Sequence, residues 1–139
     1  MPTVISTAST GTPQGAAVAW FTALRTTSFR DASTAWIQKV APYVTPAMAA
    51  SYRKVAADGK GGGADWASFV ADQCVSVVVN AAGVIPAEAP VTATAAHVQV
   101  SATLTTACRT GSRASSEFIA ATVLVTNQHG SWKVAKREF

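Results

Sequence analysis

Apolar positions recur with a helical period along the first half of the chain and with a period of two along the second. Thr12-Pro13 reads as an N-cap followed by a first-turn proline, and Ala17, Trp20, Phe21 and Leu24 then fall at i, i+3, i+4 and i+7. Asp31 can cap a second helix with the stripe Trp36, Ile37, Val40. Pro42 stops that helix, because proline disfavours helical geometry at the residue before it. Thr45-Pro46 repeats the cap device ahead of a third stripe, Met48, Tyr52 and Val55. Gly59-Lys60-Gly61-Gly62-Gly63 breaks the chain, and Asp65 then opens a short fourth helix with Trp66, Phe69 and Val70 on one side.

After Gln73 the period shortens. Cys74 to Asn80 is rich in valine and reads as a strand. From Ala96 the alternation is clean, with Val98, Val100, Ala102 and Leu104 on one face and His97, Gln99, Ser101, Thr103 and Thr105 on the other. Glu117 to Thr126 is a further strand. Asn127-Gln128-His129-Gly130 has turn chemistry, and Trp132 to Phe139 closes the chain with Trp132 and Val134 facing in. Helices followed by half-buried strands predict an α+β roll, with N-terminal helices packed on a curved four-stranded antiparallel sheet. Residues 1–15 carry Thr, Ser, Gly and Pro without periodicity and read as a linker. Residues 16–139 read as a single domain.

Composition narrows the classes. The 139 residues are 49% apolar and 13% charged, against a usual charged share of about 25%, which argues against disorder. No apolar run approaches the roughly 18 residues of a membrane span. The first fifteen residues lack the basic start and apolar segment of a signal peptide. An initiator Met directly before a linker suggests a chain cut from a longer one. Eleven Lys+Arg against seven Asp+Glu give a net charge of +4, a mild excess that favours anionic neighbours without naming one.

The candidate chemistry is sparse. A hairpin of the first two strands would bring Cys74 and Cys108 together in a disulfide; two separate buried thiols are the alternative. Direct pairing puts Cys74 on the face of Val98 and Val100, whereas Val75, Val77 and Val79 then point the other way. A one-residue bulge, or a first strand buried on both faces, would reconcile this. Two cysteines cannot build a four-cysteine zinc site, and His97 and His129 stand without further ligands at metal-binding spacing, so no metal is expected. His97 reads as a solvated strand residue. The run around Lys60 lacks the spacing and the Ser/Thr of a phosphate-binding loop and reads as a flexible connector. Asp58, Asp65 and Asp72 sit at helix ends, where capping accounts for them, and no catalytic residues or cofactor are expected. Trp20, Phe21, Trp36, Tyr52, Trp66 and Phe69 all lie on core stripes. Arg109, Arg113, Lys133, Lys136 and Arg137 gather late in the chain and would form a basic interaction edge if the sheet joined them.

Helices before a curved sheet that ends in Gly130-Ser131-Trp132-Lys133-Val134 resemble the nuclear transport factor 2-like superfamily. The helix with Trp20 and Phe21, followed by Trp36-Ile-Gln-Lys-Val-Ala-Pro-Tyr-Val-Thr-Pro-Ala-Met-Ala, is similar to the Gram-positive conjugation proteins of the TcpC type, relatives of the VirB-type bitopic assembly factor. The resemblance covers most of residues 16–139 in pattern more than in identity. It implies a non-catalytic scaffold of a conjugative type IV secretion (DNA transfer) apparatus, on the extracytoplasmic face of the cell membrane and anchored through a missing N-terminal segment. Its partners would be other secretion-channel subunits and further copies of itself in a weak homo-oligomer; direct contact with nucleic acid is not expected. Two rivals share the fold. One is a small-molecule carrier or isomerase/hydrolase-like enzyme using Tyr43, Tyr52 or Asp72 in the cone between helices and sheet. The other is a membrane-associated accessory domain of a lipid-uptake system.

Overall fold

Thr12 caps the first helix. Its Oγ1 accepts from the Gly15 N–H at 3.0 Å, Pro13 takes the first turn, where a missing N–H costs nothing, and α1 runs Pro13–Arg25. The computed structural model describes residues 3–57, 64–110 and 114–139, without the side chains of 64, 65 and 114. The run Gly59–Gly63, Asp58 and Arg113 therefore lie outside the described residues. Every residue from Gln14 to Phe21 is buried, a wider burial than the stripe Ala17, Trp20, Phe21, Leu24 predicts. Small residues (Gly15, Ala16, Ala17, Ala19) allow the sheet and the preceding chain segment to close on α1 from opposite sides.

Among the described residues three further helices follow: α2 (Ala35–Val40), α3 (Pro46–Ala57) and α4 (Ala64–Ala71). α2 ends in a single 3-10 turn, Ala41–Tyr43, around Pro42. Asp31 caps no helix. Its carboxylate accepts from the Ser28 N–H at 3.2 Å and from Lys39 Nζ at 2.9 Å, closing a turn ahead of α2. The Lys39 hydrogen bond holds the Asp31 carboxyl below its ordinary pKa. Val55 and Val70, placed on core stripes by the sequence, are 44% and 38% exposed. α3 turns inward through Met48, Ala49 and Tyr52, and on α4 Trp66 and Phe69 are half-buried, their rings stacked at 5.4 Å.

Among the described residues the sheet has six strands rather than four: β1 (Val4–Ile5), β2 (Thr27–Ser28), β3 (Cys74–Val84), β4 (Ala95–Cys108), β5 (Ala114–Gln128) and β6 (Ser131–Arg137). Its order is β1-β3-β4-β5-β6, with β2 also on the outer edge of β3, and every pairing is antiparallel. Two-residue strands leave no alternation to read, so β1 and β2 are invisible to a period-two search. β1 lies inside the stretch read as a linker. That stretch packs on the domain: the Ser9 N–H donates to Gly15 O at 3.1 Å and the Trp132 N–H to Thr10 O at 2.8 Å.

Two irregularities bend the sheet. On β3 the pairing steps from Val79↔Thr103 to Ala82↔Ser101, so Asn80 and Ala81 oppose one residue, with Asn80 at φ 54°. On β6 it steps from Val125↔Val134 to Leu124↔Lys136. Such bulges increase local twist and curvature. The β5–β6 hairpin turns through His129 (φ 57°) and Gly130 (φ 85°), the paired left-handed geometry of a two-residue hairpin. Gly83 marks a close approach: a Cβ there would lie 2.7 Å from the Gln14 carbonyl oxygen, so only glycine lets α1 start directly over β3. The core fills the space between α1 and the sheet. Val98, Val100, Ala102 and Leu104 of β4 and Ile119, Ala121, Val123 and Val125 of β5 face Trp20, Phe21, Val40, Val44 and Met48, with Trp132 and Val134 from β6.

Candidate interaction surface

The side of the sheet beneath the helices is filled by aromatic and aliphatic side chains. Trp20 and Phe21 are fully buried and stack at 5.7 Å. Trp20 Nε1 donates to the Tyr52 hydroxyl at 3.2 Å, and Trp36 meets the Tyr52 ring edge-on at 4.8 Å. Burial pushes the Tyr52 hydroxyl above its ordinary pKa, opposed by the Trp20 hydrogen bond and the nearby Arg137 charge. Among the described residues the buried polar side chains are Gln14, Thr45 and Ser76. Each is tied locally: Gln14 Nε2 to Thr3 O at 3.5 Å, Thr45 Oγ1 to the Met48 N–H at 3.3 Å, Ser76 Oγ to Thr106 Oγ1 at 2.7 Å. Asp72 is partly buried just ahead of β3, where its Oδ1 accepts from Thr110 Oγ1 at 3.4 Å.

Cys74 and Cys108 are joined as a disulfide, directly opposite one another in the β3–β4 register. A one-residue bulge is present on β3, at Asn80–Ala81, but it lies beyond the valines and does not turn them inward, and the strand is not buried on both faces. Cys74, Ser76 and Val78 share the helix side with Leu104, while Val75, Val77 and Val79 face outward and are 38%, 46% and 41% exposed. The valine run that marks β3 as a strand therefore lies on the surface.

The strand registers arrange this outer face in rows. Val77, Thr105 and Ser116 form one; Val79, Thr103 and Phe118 the next; then Ala82, Ser101 and Ala120; then Val84, Gln99 and Thr122. Phe118 stands out from the sheet at 75% exposure. Beside it a groove of about 440 Å³ runs over Ser101, Ala120 and Thr122 towards Phe139. The end of the chain is fixed there by main-chain bonds, Thr122 N–H to Phe139 O at 2.6 Å and Glu138 N–H to Thr122 O at 2.7 Å. No charged side chain occupies these four rows. Large exposed apolar side chains grouped on one face characterise contact surfaces more than solvated ones.

The basic residues are divided. Lys133 and Lys136 pair with Thr126 and Leu124 and so share the outer face, at the end remote from the disulfide. Arg137, beyond the β6 bulge, pairs with Val123, and its charge acts on Tyr52. Arg109 sits at the opposite end, its N–H donating to Gln73 O at 3.3 Å, in a shallow pocket with Phe29, Arg30 and Cys108. Nine residue-to-residue steps along β5 separate the Val123 row from Ala114 beside that end, about 30 Å at strand rise. A single basic edge through Arg109 and Lys136 is therefore not formed, and Arg113 lies outside the described residues. His97 is not simply solvated, since its Nδ1 meets Glu138 Oε1 at 2.5 Å across β5. His129 serves the hairpin turn. No group of three metal-capable side chains occurs among the described residues, and no helix among them is long and apolar enough to cross a membrane.

No protein-family model matches the chain, and no curated protein matches it either.

Proposed function

We propose that the chain is a non-catalytic assembly subunit of a conjugative type IV secretion apparatus. Its nuclear transport factor 2-like domain would stand on the extracytoplasmic face of the cell membrane, held by a segment upstream of residue 1. The observation that carries this reading is the contrast between the two faces of the sheet. The helix side is filled by Trp20, Phe21, Met48 and Trp132, whereas the outer side presents Val77, Val79 and Phe118 to solvent. That distribution suits a protein that works through its surface. The Cys74–Cys108 disulfide supports an oxidising, extracytoplasmic compartment, and the sequence likeness over Ala17–Tyr52 supplies the particular apparatus.

The enzyme alternative draws on Tyr43, Tyr52 and Asp72, but Tyr52 is engaged by Trp20 and Asp72 by Thr110. Conjugative transfer from a donor lacking the gene tests the proposal. Transfer should fall and return with the wild-type chain, but not with a folded Val77→Lys variant. Undiminished transfer from the deletion strain would overturn it.

A further inference from the structure

The geometry points to a binding site for a phosphate ester at the disulfide end of the sheet, held between Arg30 and Arg109. The site lies beyond the four outer-face rows and stands apart from the assembly reading. Far apart in sequence, the two arginines are brought together by the ladder. β2 and β4 flank β3 on either side, about 10 Å apart. Just past β2 the Phe29 N–H donates to Cys74 O at 2.9 Å, and just past β4 the Arg109 N–H donates to Gln73 O at 3.3 Å. These bonds prolong the two ladders of β3, one on each side. Arg30 and Arg109 therefore emerge on either side of the start of β3, where both line one pocket of about 290 Å³.

The Arg30 guanidinium carbon lies 4.8 Å from the centroid of the Phe29 ring. Stacking of this kind steadies the plane of the guanidinium and leaves its in-plane N–H groups free to fork onto an oxyanion. Among the described residues the side-chain ion pairs are Asp31–Lys39 and His97–Glu138, so no carboxylate there neutralises either pocket arginine. The acids next to the pocket in sequence are committed elsewhere: Asp31 to the Ser28 N–H and Lys39, Asp72 to Thr110. Glu117 pairs with Leu104 and belongs to the other side of the sheet. Two cations on the wall of one pocket repel one another, and an oxyanion bridging them removes that cost while gaining charge-assisted hydrogen bonds. Phosphate suits the arrangement better than carboxylate, because tetrahedral oxygens accept from two forks approaching from different sides. The pocket is otherwise walled mainly by Phe29, Val75, Ala107 and Cys108, so the ligand carries a small apolar body beside its phosphate. The volume, at the lower end for ligand sites, admits one such group.

Titration of the isotope-labelled chain with phenyl phosphate at low salt, followed by amide NMR shifts, tests the site. Saturable shifts at Phe29, Val75, Cys108 and Arg109 in the millimolar range are expected, with inorganic phosphate binding several-fold more weakly because it leaves the apolar wall uncovered. Arg30→Gln and Arg109→Gln, both at exposed positions, should each weaken binding by about tenfold with the melting temperature unchanged, while Lys54→Gln on α3 leaves it intact. Shifts that never saturate would overturn the site, as would binding that both pocket variants leave intact or shifts equally large at Lys133 and Lys136. Benzoate bound as tightly as phenyl phosphate would overturn the assignment to phosphate by giving the pocket to carboxylates. Flotation with phosphatidylglycerol vesicles separates the two sources of such an ester. Vesicle binding that both pocket variants abolish identifies a lipid headgroup, whereas binding of phenyl phosphate without vesicle binding identifies a soluble or polymeric ester.

Discussion

Replacing both cysteines, Cys74→Ala with Cys108→Ala, should lower the melting temperature by about 13 °C. The bond closes a segment of 34 positions. In the chain-entropy treatment, a cross-link over that length removes about 12–13 cal/mol/K from the unfolded ensemble, or about 4 kcal/mol at 25 °C. Unfolding entropy near 60 °C is about 2.1 cal/mol/K per residue, so the 139 residues carry about 290 cal/mol/K. Dividing one by the other gives the shift. Burial adds little, because alanine fills most of the site that Cys74, 3% exposed, occupies. The assay is calorimetry on wild type, on wild type with reductant and on the double variant, with thiol alkylation counted by intact mass. The last two samples should coincide. A shift below about 3 °C, with two thiols confirmed free in the reduced sample, would refute the entropic reasoning. It would mean that the unfolded chain already keeps β3 and β4 close.

Two other outcomes follow from local geometry. Tyr52 has its pKa raised by burial, so the folded state holds the proton more tightly than the unfolded state does; its contribution is complete below pH 10 and declines as pH rises through the folded value. Tyr52→Phe should flatten that alkaline decline in urea titrations and cost about 1 kcal/mol at neutral pH, since Trp20 Nε1 loses its acceptor; an unchanged alkaline slope would count against this assignment. Asn80→Val should destabilise by about 1–2 kcal/mol because Asn80 has φ 54°, and Asn80→Gly should be tolerated, with equal chemical-denaturation midpoints for both variants counting against a bulge that needs left-handed backbone.

The sequence patterns that proved legible are those in which one residue type has one structural use. Thr12-Pro13 marks the start of α1, Pro42 the end of α2, and the β4 alternation separates Val98, Val100 and Ala102 from the outer face without exception. The outward valines of β3 were not legible. Hydrophobicity says that a position prefers burial but not which of two equivalent faces receives it, and Cys74 rather than the valines sets the inward parity. Asp31 looked like a cap because an acid before a helix usually is one, yet Lys39, eight positions on, competes for the same carboxylate. The basic residues are close in sequence order but opposite in space. A hairpin of long strands carries Arg109 to one end of the sheet, while Lys133 and Lys136 remain at the other.

The two-residue strands β1 and β2 have a consequence for how copies can accumulate. Together they cap both ends of the free side of β3, the Asn80 bulge interrupts the register between them, and on the far margin Val134 O and the Trp132 N–H are taken by Thr45 and Thr10. A sheet with its margins treated in this way is a poor template for strand-by-strand polymerisation. At high local density the molecule is thereby steered away from open-ended ribbons and towards contacts that terminate.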